Sequence, residues 1–226
     1  MAEQFEALLK AWRADPSKNQ LGPGATEAAV AVAEAVLRRR FPRALRDLYF
    51  QTDGCALLEG NLNITPLATV PGTPGLVDLS DELRGNGWAV PDELLVFGDD
   101  GQGNQLGIWL PSGTPDDLPN PIVMLGVIFG RAECMAVFGS ELLRFLHSWT
   151  IYYTLLDAAA ETPRQRVLDL LRVPAGWRDR EPDDALLAEI LRANDPDLPT
   201  YDPDPYVRGV SAQHLRTLYG RSEADR

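Results

Sequence analysis

The chain has little of what metal and nucleophile chemistry uses: two histidines, His147 and His214, and two cysteines, Cys55 and Cys134. The cysteines fit no zinc spacing and no C-x-x-C redox pair, so reduced thiols are expected. Neither G-x-S-x-G nor H-E-x-x-H occurs, which removes two common hydrolase signatures. Positive charge is also short. Twenty-one Lys and Arg stand against 33 Asp and Glu, a formal net charge of −12. Phosphate backbones repel such a surface, so no nucleic-acid partner is expected. No apolar run approaches the roughly 18 residues a spanning helix needs, so no membrane partner is expected either. The opening MAEQFEALLKAWRAD has no apolar core of a secretory leader. Together these absences predict a cytoplasmic protein.

What is present is ordinary globular material. Of 226 residues 45% are hydrophobic and 24% charged, and a chain of this size buries roughly 70% of its unfolded surface. Phe5, Leu8, Leu9 and Trp12 recur at helical spacing. Residues 15–24, DPSKNQLGPG, break that helix. Thr26 opens an Ala-rich helix to Arg40, and Phe41-Pro42 restarts the chain into an apolar face of Leu45, Leu48 and Tyr49. Short β-type runs follow at 56–58, 62–64, 67–70, 94–97 and 106–110, with a helical stretch at 76–83. The runs at 122–129 and 133–138 read as a hairpin across Gly130-Arg131-Ala132. Ser140 is expected to cap a long helix whose stripe is Leu142, Phe145, Leu146, Trp149, Tyr153 and Leu156. Helices are predicted from Thr162 to Leu171 and from Asp183 to Arg192. Residues 194–205, NDPDLPTYDPDP, read as extended linker, and Ser211 as the cap of a last short helix. Helices, then strands, then helices argue for an α+β fold with an antiparallel sheet.

The string VFGDDGQGN, residues 96–104, admits four chemistries. A calcium loop of EF-hand type needs alternating acids and a glutamate at its twelfth position, and counting from Asp99 that position is Leu110. A phosphate cradle needs GxxxxGK followed by Ser or Thr, or the dinucleotide pattern GxGxxG, and neither occurs. A catalytic carboxylate pair needs a defined gap across a substrate, which adjacent residues at a turn rarely give. His147, beside the apolar stripe, offers no partnered base. A turn remains. Asp-Gly is a strong hairpin signal, glycines permit positive φ, and Asp99 and Asn104 cap such a turn. No metal and no cofactor are expected.

The pieces FPRALRDLYFQTDG (41–54), NITPLATV (63–70) and VPDELLVFGDDGQGNQLGIWL (90–110), in that order, resemble the SUKH superfamily, the Smi/Knr-type family. Ser140 to Leu146 is similar to the family's final S-x-x-x-F-L element, with one extra residue before Phe145. Asp53 stands where the family usually has asparagine. The resemblance covers residues 27–160. It leaves 1–26 as an N-terminal helix and loop and 161–226 as a helical, acidic, proline-rich extension. It implies a twisted antiparallel sheet flanked by helices, and a role in binding protein without catalysis. Bacterial relatives imply an immunity protein that neutralises a cognate toxin, often a nuclease or deaminase. Fungal relatives imply a regulatory scaffold of cell-wall synthesis. A hydrolase is the remaining alternative. The expected partner is a basic toxin domain, with the chain a monomer or weak homodimer. The expected contact residues are Asp99, Asp100, Gln102 and Asn104 at the hairpin tip, with an exposed Trp88 or Trp109 as anchor and core packing as the alternative for each tryptophan. Gly54, Gly98, Gly101 and Gly103 are expected to be turn glycines.

Overall fold

Helix α1, Ala2–Ala14, forms where the Phe5, Leu8, Leu9, Trp12 spacing predicts it, and Leu8, Leu9 and Trp12 are buried. The computed structural model describes residues 2–111, 120–128, 131–157, 161–198 and 209–219. A two-residue strand β1 (Gln20–Leu21) precedes α2 (Glu27–Leu37), whose N-cap Thr26 accepts a 3.1 Å hydrogen bond from the Ala29 amide. Helix α2 ends three residues before the expected Arg40. Arg38 turns left-handed at φ 52°, and the Arg38 and Arg39 amides close the helix on the Ala35 and Glu34 carbonyls at 3.2 and 3.0 Å. Helix α3 (Arg43–Gln51) buries Leu45, Leu48 and Tyr49 as expected.

Strands β2 (Cys55–Leu57) and β3 (Leu62–Ile64) flank a 3-10 turn over Leu58–Gly60. The run at 67–70 is not a strand. Pro66 and Pro71 bracket it, and proline supplies no ladder donor. The Leu67 amide is taken by Asp53 Oδ1 at 2.7 Å. An asparagine at 53 would offer the same acceptor oxygen. Helix α4 (Leu76–Gly85) leads into β4 (Leu94–Asp99), β5 (Gln105–Trp109), β6 (Ile122–Ile128) and β7 (Arg131–Gly139). Of the expected turn Gly130-Arg131-Ala132, Gly130 lies outside the described residues, and Arg131 and Ala132 are not turn but the first residues of β7.

The remaining elements are α5 (Leu142–Leu156), α6 (Glu161–Leu170), α7 (Ala175–Arg178), α8 (Asp184–Asn194), β8 (Gly209–Val210) and α9 (Ala212–Tyr219). The sheet is an antiparallel meander in sequence order, β1 to β8, so the fold is α+β. Its last strand continues the sheet from the far end of the chain, pairing Val210 with Met135 and Gly209 with Ala136.

Segments outside the resemblance share one core with the segments inside it. Helix α1 packs on α5 and α6, and α8 packs on α5. Trp12 Nε1 donates to Thr150 Oγ1 at 3.1 Å. Leu8, Phe97, Phe145, Leu168, Ile190 and Leu215 all belong to that one buried cluster. Ser140 is not the α5 cap. Glu141 holds the N-cap position without a side-chain bond, while the Ser140 hydroxyl donates to Asp195 Oδ1 at 2.7 Å. A buried acceptor from α8's end outcompetes the local capping role. The expected linker is likewise docked at its start, with Asp195 and Leu198 buried. Its part from residue 199 onward lies outside the described residues.

Helix α9 is held by buried Leu215 and by a two-pronged ion pair, Arg216 Nε and an Nη to the Glu93 oxygens at 2.6 and 3.0 Å. The hydrogen bond from Arg216 holds the Glu93 carboxyl below its ordinary range, against a smaller opposing effect of burial. A depressed carboxylate stabilises the fold above its unfolded value, about 4.3, and that contribution is lost as pH falls through the folded value. Glu93→Gln is therefore expected to lower the melting temperature at pH 7. The difference from the parent should close as pH drops below about 4. A difference unchanged by pH would mean the carboxylate charge is not what holds α9.

Candidate partner-binding site

Two close backbone approaches place the loop between β4 and β5. Gly98 is not the turn glycine expected but lies within β4, where a Cβ would sit 2.0 Å from the Asn63 carbonyl oxygen, so only glycine lets β4 lie this close to β3. The same stretch is a bulge, with the pairing shifting between Val96–Gly107 and Gly98–Leu106. At Gly101, φ is +69° and a Cβ would sit 2.0 Å from the Gly60 oxygen. Gly103 also has positive φ, +98°, and faces open space. Gly54, φ +84°, lies against Pro66.

Within the loop the two aspartates do different work. Asp100 is 3% exposed. Its Oδ1 accepts from the amides of Gln102 and Asn104 at 2.9 and 3.0 Å, and its Oδ2 from Asn104 Nδ2 at 2.6 Å. Its own amide donates to the Asn104 carbonyl at 3.1 Å. Asp100 is thus the internal strut of a five-residue loop, with both oxygens engaged. Asp99 is half-buried and its Oδ1 accepts from the Gly101 amide at 2.8 Å and from Asn63 Nδ2 at 2.7 Å. The first of these is the Asx contact expected of a turn aspartate. Asn104 spends its amide on Asp100. Gln102 is exposed at the tip, and its Nε2 donates to the Tyr153 hydroxyl at 3.2 Å.

That last bond joins the loop to α5. Tyr153 stacks 5.1 Å from Trp149, whose Nε1 donates to the Asn61 carbonyl at 3.0 Å. Tyr152 meets Tyr153 edge-on, with ring centroids 5.5 Å apart at 90°. Carboxylates converge on the pair. Burial, then Asp100 and Tyr152, push the Tyr153 phenol up to about 12. Burial, then Asp184 and Asp183 at the start of α8, raise Tyr152. Both phenols stay neutral and both remain half-buried. The result is a half-buried aromatic edge in the field of Asp100, Asp183 and Asp184.

The expected contact residues separate accordingly. Asp99, Asp100, Gln102 and Asn104 share the loop. The tryptophans do not join them. Trp109 pairs with Leu94 at the opposite end of the β4–β5 hairpin from the tip and is 0% exposed. The exposed anchor expected of it is absent, because its strand is covered on the face it points to. Trp88 is half-buried against the core after α4. Tyr153 belongs to the apolar stripe expected of the helix, and Tyr152 lies outside that stripe. Adjacency is no signal here, since α5 buries consecutive residues such as Phe145 and Leu146 or Trp149 and Thr150.

Other reactive groups offer little chemistry. Burial pushes the Cys55 thiol up to about 12, against smaller effects of hydrogen bonds from Ile64 and Thr52. Burial lowers His147, partly offset by its hydrogen bond with Asn194. Among the described residues no group of three or more His, Cys, Asp or Glu is placed to hold a metal ion, and no helix is long and apolar enough to cross a membrane.

Residues 24–130 match the SMI1/KNR4 family (SUKH-1). No curated protein matches the chain. The matched span runs from just before α2 into the β6–β7 hairpin, and it contains the whole VFGDDGQGN loop.

Proposed function

The chain belongs to the SUKH superfamily through residues 24–130, and on that premise we propose that it is a non-catalytic binding module, an immunity protein that neutralises a basic toxin in the cytoplasm. The observation that carries this reading is the tyrosine edge beside the loop. Tyrosine is enriched among residues that dominate binding energy, and Tyr152 and Tyr153 are pre-positioned by ring contacts and by Gln102. Carboxylates around an aromatic pair suit a cationic partner, and the net charge of −12 speeds encounter with one. The loop acids support binding better than catalysis, since Asp100 is buried and both of its oxygens already accept hydrogen bonds from inside the loop.

The test is co-expression with a toxin encoded beside this chain. Wild type is expected to restore growth and to co-purify with the toxin. Tyr153→Ala is expected to weaken the complex by roughly 30-fold, the scale of a binding hot spot, with Tyr152→Ala close behind. Association should slow as salt rises. Cell death with no complex recovered rejects the immunity role. A pull-down of cell-wall or signalling proteins, from a locus with no toxin gene, favours the scaffold role.

A further inference from the structure

Helix α2 turns a bare apolar face to solvent. At about 100° per residue, Val30, Ala33 and Leu37 point one way, and Ala28, Ala31, Val32, Ala35 and Val36 fan over the opposite arc of roughly 140°. Val30 and Ala33 are buried, whereas Val32 and Val36 are 63% and 61% exposed. No polar side chain interrupts the outer arc. A helix packed on one side of a core ordinarily carries charges on the other. Helix propensity does not explain this face, because outward valines are poorer helix formers than the alanine, glutamate or lysine that would serve there. The two valines weaken the isolated helix and, with the exposed alanines beside them, form a contiguous exposed apolar strip of the kind that marks a contact surface.

The charges at the two ends select the occupant. Glu27 begins the helix and Arg38 and Arg40 follow it, all exposed. Among the described residues none of the three makes an ion pair, in contrast to Arg43 with Asp47 and Arg46 with Glu34. Glu27 borders the apolar arc on one side, and the Cα of Arg38, the left-handed C-cap, follows the helix on that same side. When two copies of a helix pack antiparallel about a two-fold axis, that same border meets itself in reversed order. Glu27 of one copy then lies beside Arg38 of the other, twice, across a centre of packed valines. A parallel pairing would set like charges together at both ends. We infer that α2 is the contact helix of a weak, antiparallel, two-fold homodimer of this chain.

One helix pair buries less than the roughly 1,600 Å² of a standard stable interface. The expected dissociation constant is therefore on the order of tens to hundreds of micromolar. Sedimentation velocity on the full chain, from low micromolar to about millimolar, reads it directly. Val32→Glu with Val36→Glu is expected to raise the constant at least tenfold. Both sites are exposed, and a thermal melt on the dilute protein checks that the fold is kept. Glu27→Arg or Arg38→Glu alone should weaken association several-fold, and the double swap should restore it. The swapped charges are each unfavourable to the α2 dipole, so recovery cannot come from a better helix and isolates the cross-copy pair. A chain that stays monomeric throughout, or a dimer indifferent to the valine changes, overturns the inference. So does a double swap that fails to recover. A monomer whose Val32→Glu variant instead loses a separate protein partner overturns the second copy as the occupant.

Discussion

Replacing Asp100 with alanine lowers stability by about 3 kcal/mol, and replacing it with asparagine by about half as much. The alanine removes the acceptor for two backbone amides and one side-chain amide, all at 3.0 Å or less. Hydrogen bonds to a charged group contribute about 1.5–3 kcal/mol each, and a buried donor left without a partner adds its desolvation cost. The full sum is not reached, because Gln102 and the two loop glycines are exposed and water can reach part of the opened loop. Asparagine keeps one oxygen for the two backbone amides. It then sets a donor against Asn104 Nδ2, whose amide must turn over to accept. In a chain of this length the alanine variant should melt about 6–12 °C lower. Urea denaturation gives the free energy itself. A fully stable Asp100→Ala variant that has lost partner binding would reverse the assignment. It would make Asp100 a contact residue and not a strut.

Elements with a clean period are legible. Leu8 and Trp12 on α1, and Leu45, Leu48 and Tyr49 on α3, repeat at helical spacing and are buried as that spacing requires. The order of helices and strands discloses the α+β class for the same local reason. Features set by distant partners are not legible. Strand β8 has two residues, too few to carry a period, and exists because β7 offers an open edge. The run 67–70 has strand-forming residues, yet its flanking prolines and Asp53 decide its shape. Asp-Asp-Gly reads as exposed polar turn, and nothing local says that the second aspartate is inside. The carboxylates that crowd Tyr152 come from α8, more than 30 residues away in the chain, so the tyrosine edge has no compact sequence signature. What a single sequence does carry is the steric record of close approach. Gly98 and Gly101 stand where a Cβ would strike backbone, and they lie within the string that resembles a family.

Asp195→Ala is expected to cost about 3–5 kcal/mol and to loosen the C-terminal helices from the core. Asp195 is 1% exposed. One oxygen accepts from the Ser140 amide at 2.6 Å, and the other accepts from the Ser140 hydroxyl at 2.7 Å and from an Arg144 Nη at 3.0 Å. This single side chain ties the end of α8 to the junction of β7 and α5, across 55 residues of sequence. Alanine strands the Ser140 amide in a buried site and removes one partner of a largely buried ion pair, the costlier way to disturb such a pair. Arg144 is less affected, since Glu141 and Asp197 also hold it. Asparagine keeps an acceptor for the Ser140 amide, and its Nδ2 donates to a reoriented Ser140 hydroxyl. Its cost should be about half that of alanine. The location of the damage separates this bond from a general weakening of the core. Amide exchange should accelerate first in α8 and at the start of α5, while β4, β5 and β6 keep their protection until global unfolding. If α8 instead stays as protected as the sheet and stability falls by less than about 1 kcal/mol, apolar contacts of Leu186, Ile190 and Leu191 hold the extension, and the buried carboxylate only sets its register.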